Sequence, residues 1–199
     1  IDEETVGDVI ADRRVRAVTL TGSVGAGRAV ARQAAEQLKP TVLELGGSDP
    51  FIVCEDADLD AAASTGCTAR MQNTGQSCIA AKRFIVEDAV ADAFTERLID
   101  QVEALTVGDP QDELTDIGPM ARADLRAGVH DQVERAIGAG AVAAAGGHTL
   151  DRDGYFYAPT VLTGVEPGTV AFEEEIFGPV ASVVVADDTE QAVALANDT

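Results

Sequence analysis

The chain has 199 residues, 35 of them acidic against 14 basic, for a net charge of −21. That surplus excludes nucleic acid and anionic membrane surfaces as partners, because both need concentrated positive charge. It predicts instead a solvated acidic surface that keeps the protein soluble in high salt, a halophilic character. The apolar fraction of 46%, without Trp, suits a tightly packed helix-and-strand chain long enough for one domain and part of another.

No apolar run reaches membrane-spanning length and no signal-peptide pattern is present, so a cytoplasmic protein is expected. The chain opens on Ile1 and stops at Thr199 just after a helix-like run, which reads as a piece cut from something longer. Cys54, Cys67 and Cys78 are odd in number and lack metal-type spacing, and His130 and His148 lie far downstream. Neither a disulfide framework nor a metal site is expected.

In chain order, a β-rich run from Val15 to Leu20 leads through Thr21-Gly22-Ser23-Val24-Gly25-Ala26-Gly27 into a helical pattern, Arg28 to Leu38. Strand, glycine turn and helix N-terminus together can hold a phosphate. The dinucleotide fingerprint with its third glycine is absent, so a plain turn and a phosphate site are equal readings of this stretch. Thr41 to Leu45 reads as a strand running into Gly46-Gly47, with Glu44 its one charge. A lone strand Glu is usually a solvated residue, but the diglycine argues for close backbone approach, and Glu44 becomes a candidate general base.

Pro50 to Cys54 predicts a strand and Asp58 to Arg70 a helix, with Cys54 and Cys67 as packing thiols. The loop Met71-Gln72-Asn73-Thr74-Gly75-Gln76-Ser77-Cys78 then delivers a cysteine between two apolar segments, the setting of a nucleophile. Arg83 to Val86 predicts a strand, Ala89 to Leu105 a helix, and Pro119 to Ile137 another helix carrying His130 on its surface. Ala141 to Ala145 and Tyr155 to Leu162 read as extended, and Glu173 to Pro179 as a turn. Val180 to Ala186 is a buried-type strand before a last helix. Strands alternating with helices predict an α/β fold, an open and mainly parallel sheet with flanking helices.

Leu43-Glu44-Leu45-Gly46-Gly47 resembles the glutamate motif of the aldehyde dehydrogenases, and Gly75-Gln76-Ser77-Cys78 their cysteine motif. Thr21-Gly22-Ser23 ending at Gly27 resembles their cofactor turn, and Glu174-Glu175-Ile176-Phe177-Gly178-Pro179 their second cofactor motif. The resemblance implies a Rossmann-like catalytic fold, with residues 1–43 closing an NAD(P)-binding domain and 44–199 forming the catalytic domain. It implies Cys78 as nucleophile toward an aldehyde, its backbone N–H as an oxyanion donor, and Glu44 as the base that activates water. Gly22, Ser23 and Gly27 would face the cofactor pyrophosphate, the Leu45 carbonyl the nicotinamide amide, and Glu175 with Phe177 the nicotinamide ribose. Gln72, Ser77 and Ile79 would edge the substrate pocket.

The stretches Asn73 to Val86, Ile117 to Arg122 and Ala196 to Thr199 look most like succinate-semialdehyde dehydrogenases, although Gln72 stands where many of these place an arginine for the substrate carboxylate. Another small aliphatic aldehyde is the alternative substrate. Met71 and Ser48 also depart from the usual residues, and Gly25 stands where an acidic residue is common. The resemblance further implies NAD or NADP as cofactor and a homodimer or homotetramer. It places an oxyanion asparagine and an adenosine-ribose lysine upstream of Ile1, so residues 1–199 alone are expected to be weakly active or inactive. A truncated module serving in assembly or binding is the competing reading.

Overall fold

The computed structural model describes residues 3–198, which form two compact units on either side of the Gly47–Ser48 bond. The first contains α1 (Glu3–Ala11), β1 (Val18–Gly22), α2 (Val24–Glu36) and β2 (Thr41–Leu45). β1 and β2 run parallel, with Thr21 opposite Glu44 and Gly22 opposite Leu45, and α2 makes the crossover between them. Ile10, Val30 and Ala34 form its small core, against which Val6, Val18 and Leu20 pack.

One expectation changes here. The helix begins at Val24 rather than Arg28, so Gly25 and Gly27 belong to its first turn and not to a loop before it. Ser23 causes this: its backbone is extended and its hydroxyl accepts from the Ala26 N–H at 3.2 Å, an N-cap placed earlier than the apolar periodicity indicates.

The second unit is built on a five-stranded sheet of order β3 (Pro50–Val53), β4 (Arg83–Glu87), β7 (Val180–Ala186), β6 (Thr160–Thr163), β5 (Val142–Ala145). The first four are parallel and β5 joins the edge antiparallel, in keeping with a mainly parallel sheet. Both faces are covered, which is why β4 and β7 read as continuous apolar runs. Phe84, Val86, Ala181 and Val183 point to a core shared with α3 (Leu59–Met71) and α4 (Asp88–Glu103). Ile85, Val180 and Val184 alternate to the other face, under α5 (Ala123–Gly138), α6 (Val170–Glu173) and α7 (Thr189–Ala196). No described helix is long and apolar enough to cross a membrane.

Candidate active site

The turn that carries Cys78 is assembled where α3 stops. Met71 is the last helical residue and is buried in the core, and Gln72 turns the chain out of the helix. Asn73, Thr74 and Gly75 then lie consecutively in the left-handed region, with φ of 54°, 57° and 69°. Asn tolerates this conformation, and its side-chain amide donates to the Gln76 carbonyl at 2.9 Å. Thr74 is β-branched and does not tolerate it well. It is buried and held by its hydroxyl, which donates to the Gly118 carbonyl at 3.3 Å. A strained conformation of this kind costs about 1–3 kcal/mol per residue and persists only when the surroundings over-determine it.

Those surroundings are a second segment, Glu174 to Pro179, between α6 and β7. Gly75 sits so close to the Gly178 carbonyl and the Pro179 nitrogen that any side chain there would collide with them. Arg70, fully buried in the last turn of α3, donates to the carbonyls of Ile176 at 2.7 Å and Val180 at 2.6 Å, and also to that of Gly178. Burial lowers its pKa to about 10, with the Glu175 carboxylate acting in the opposite sense. Gln76 adds a tie to a third segment, its side-chain carbonyl accepting from the Ala121 N–H at 3.0 Å.

Cys78 is half-buried just beyond this clamp, while Ile79 is 80% exposed. Lys82, 3% exposed, reaches back with its ammonium and donates to the Cys78 carbonyl at 2.8 Å and the Ala80 carbonyl at 3.2 Å. The same nitrogen lies 3.3 Å from Glu175 Oε1. That oxygen is buried and accepts no hydrogen bond, so its partner in the structure is an ion pair alone. Burial pushes the Lys82 pKa down, against the pull of Glu175. Gln132 donates to the Glu175 carbonyl at 3.2 Å and to the Glu174 carboxylate at 2.9 Å, where Arg135 also binds. Phe177 is half-buried.

The other two thiols are placed differently. Cys67 is buried inside α3, and burial, then Asp116, pushes its pKa up. Cys54 is raised by burial first and by Glu87 and Asp56 next. Gln72 and Met71 line a cavity of about 290 Å³ together with Cys67, Gln101, Leu105 and Asp116, and Cys78, Ser77 and Ile79 are not among its walls. The structure thus brings Cys78 together with Glu175 and sets Gln72 beside a different hollow.

In the first unit, Ser23 and the N–H groups of α2 form an end with no acidic residue in its first turn, which leaves the helix dipole free for an anion. Gly22 closes β1 beside it. Gly27 is turned inward: a Cβ there would lie 2.6 Å from the Leu45 side chain, so this glycine lets α2 approach β2. Glu44 is exposed near the end of β2. Arg70 and Lys82 were not picked out by motif. The one signal for the latter was its rarity, as Lys39 and Lys82 are the only lysines in the chain.

The profile of the aldehyde dehydrogenase family matches residues 2–199. A succinate semialdehyde dehydrogenase [NAD(P)+] of Escherichia coli (strain K12) is 53% identical over 197 residues, covering 99% of this chain and 43% of that protein. A probable succinate-semialdehyde dehydrogenase [NADP(+)] of Synechocystis is 54% identical over 198 residues, covering 100% and 44%. Among solved structures, the succinic semialdehyde dehydrogenase of Streptococcus pyogenes in complex with NADP+ superposes with a TM-score of 0.96 at 40% identity, covering 100% of this chain and 44% of that one. The chain therefore spans less than half the length of these relatives. The residues matched run through both units, and the chain belongs to the aldehyde dehydrogenase family.

Proposed function

We propose that the full-length protein carrying this chain oxidises an aldehyde, with succinate semialdehyde the best candidate, to its carboxylic acid with NAD(P)+. The observation that carries this reading is the strained turn holding Cys78 beside the Glu175 segment, since strain of this kind is kept where chemistry needs it. The relatives' names supply the substrate, and the family supplies the division into a cofactor-binding part, 1–43, and a catalytic part, 44–199.

The donor set fits the cofactor. Ser23 and the N-terminus of α2 offer N–H groups to a pyrophosphate without an opposing acid, with Gly22 beside them, while Gly27 contributes by letting α2 pack closely on β2. Glu175 has a buried oxygen able to accept from a ribose hydroxyl, beside Phe177, and the Leu45 carbonyl would take the nicotinamide amide. Bound NAD(P)+ supplies the hydride acceptor. The Cys78 thiolate adds to the aldehyde carbon, forming the C–S bond of a thiohemiacetal whose oxygen the Cys78 N–H stabilises. Loss of hydride leaves a thioester on Cys78. Glu44 takes a proton from water, the hydroxide adds to the acyl carbon, and the C–S bond breaks to return the thiolate. Ser77 and Ile79 edge the aldehyde site beside Cys78, and Gln72, on the rim of the separate hollow, would have to turn toward it to hydrogen-bond a substrate carboxylate, without bringing charge. A cytoplasmic homo-oligomer completes the reading.

The test is the rate of cofactor reduction with succinate semialdehyde by the full-length protein and two variants. Cys78→Ala should lose at least about a thousandfold. Glu44→Gln should give a burst of about one equivalent of reduced cofactor followed by slow turnover, because acyl transfer to Cys78 survives and hydrolysis does not. Equal rates in wild type and Cys78→Ala would remove the nucleophile. A steady Glu44→Gln trace with no burst would remove the division of roles.

A further inference from the structure

The ammonium of Lys82 makes a connection that the aldehyde chemistry does not require. It joins the backbone carbonyl of the nucleophile itself, Cys78, to one oxygen of Glu175, and it does so from a position 3% exposed to solvent. Two carbonyls of a turn can be satisfied by a short neutral side chain or by water, neither of which would reach a carboxylate on another segment. A buried lysine is a costly way to satisfy them. Its length and charge are accounted for only if the link to Glu175 matters.

The link is also poised to change. Glu175 Oε1 holds the ion pair at 3.3 Å and accepts no hydrogen bond, so it keeps the capacity to accept one from a bound hydroxyl. Lys82 has a second pair of acceptors, the Cys78 and Ala80 carbonyls, toward which it can tighten. The remaining ties on the turn do not pass through Glu175's side chain: Arg70 holds backbone carbonyls of Ile176, Gly178 and Val180, and Gln76 holds Ala121. Among these ties the Lys82 link is the one in direct contact with the Glu175 carboxylate and with the Cys78 carbonyl at once.

We propose that Lys82 is a positioning residue that couples cofactor occupancy at Glu175 to the reactivity of Cys78, through its simultaneous hold on the Cys78 carbonyl and the Glu175 carboxylate. The inference rests on the assignment of Glu175 to the cofactor ribose. When ribose hydroxyls donate to Glu175, the carboxylate loosens its grip on the ammonium, which moves toward the Cys78 carbonyl and resets the orientation of the turn. No bond is made or broken in this step.

The measurement is the second-order rate of Cys78 alkylation by iodoacetamide, located by peptide mass spectrometry, in the full-length protein with and without saturating NADP+, cofactor binding being measured separately by calorimetry. In wild type, cofactor should change the rate by at least about fivefold, the lower range of ordinary coupling between sites. In Lys82→Met, which keeps the stem and removes the charge, the same ratio should fall to within about twofold of one. Simple shielding of the thiol by bound cofactor would persist in Lys82→Met, so an undiminished ratio in that variant overturns the proposal. So does a wild-type rate indifferent to bound cofactor. Failure of the wild-type protein to bind either NADP+ or NAD+ would instead overturn the functional reading on which this rests. Should Lys82→Met not fold, Glu175→Gln at saturating cofactor decides: the ratio must again collapse, and its survival refutes the coupling.

Discussion

Replacing Gly75 by alanine tests the central structural claim, that the cysteine turn is pressed against the segment before β7. The backbone at Gly75 has φ of 69°, which costs an L-residue about 1–2 kcal/mol. The added methyl also meets the Gly178 carbonyl and the Pro179 nitrogen, both backbone, so no rotamer change relieves it. Overpacking of this sort typically costs a further 1–3 kcal/mol. The sum is roughly 2–5 kcal/mol, and at about 2–4 °C per kcal/mol for a unit of this size the melting temperature should fall by at least about 4 °C. Gly128 provides the control, for it lies mid-helix in α5 with nothing within 4 Å of the new methyl. There the same substitution should stabilise by up to about 1 kcal/mol through helix propensity. Calorimetric melting of both variants is the assay. A Gly75→Ala protein that melts within a degree of wild type would show that the two segments do not touch as described.

Arg70→Met should cost about 3 kcal/mol, because buried carbonyls of Ile176, Gly178 and Val180 lose their donor, a loss offset in part by removal of a desolvated charge. Denaturant titration measures it, and Arg70→Lys should restore less than half. The net charge of −21 predicts a melting temperature that rises from dilute buffer to molar KCl as self-repulsion is screened over a Debye length shrinking to about 3 Å. An unchanged value would remove the halophilic expectation. Tyr157 is fully buried with His130 Nδ1 3.3 Å from its hydroxyl, and burial raises its pKa above the ordinary value. Below about pH 10 the tyrosine is neutral folded or unfolded. As pH climbs past that point only the unfolded chain ionises, so stability should drop by up to about 1.4 kcal/mol per pH unit. Tyr157→Phe should flatten that alkaline limb in urea titrations across pH.

The fold was legible because its signals are local, and the candidate site residues were proposed on signals of the same kind. Strand runs such as Val180 to Ala186 are continuous and apolar, and Cys78, Glu44, Ser23 and Glu175 each lie inside a short motif. The start of α2 was misjudged because one side chain, Ser23, outweighs apolar periodicity in fixing a helix end. Arg70 and Lys82 were illegible for a different reason. Arg70's partners lie more than a hundred residues away, and that of Lys82 nearly as far. What brings Lys82 to its partner is the parallel register of β4 on β7, in which Arg83 stands opposite Ser182, while Arg70 reaches the same region from the end of α3. Lys82, one residue before β4, then stands opposite Ala181 near the start of β7, and its long side chain extends back to Glu175.

That register also sets the two units apart. In the first, Ser23 follows β1 and Glu44 nears the end of β2, at the carboxyl ends of the strands, where ligands of parallel α/β sheets ordinarily bind. In the second, Cys78 precedes β4 and Glu175 precedes β7, at the amino ends. The proposed chemistry therefore lies at the opposite end of the larger sheet from the one the usual rule favours. The reason lies in how Cys78, the proposed nucleophile, is presented. A turn of three left-handed residues is held here from several sides: the amino end of β7 supplies carbonyls and the Gly178 contact, Lys82 comes from the amino end of β4, and Arg70 from the last turn of α3. The strain in the turn and the charges beneath it belong to one arrangement: the Gly118 and Gly178 contacts hold the left-handed residues, and Arg70 and Lys82 satisfy the carbonyls buried around them.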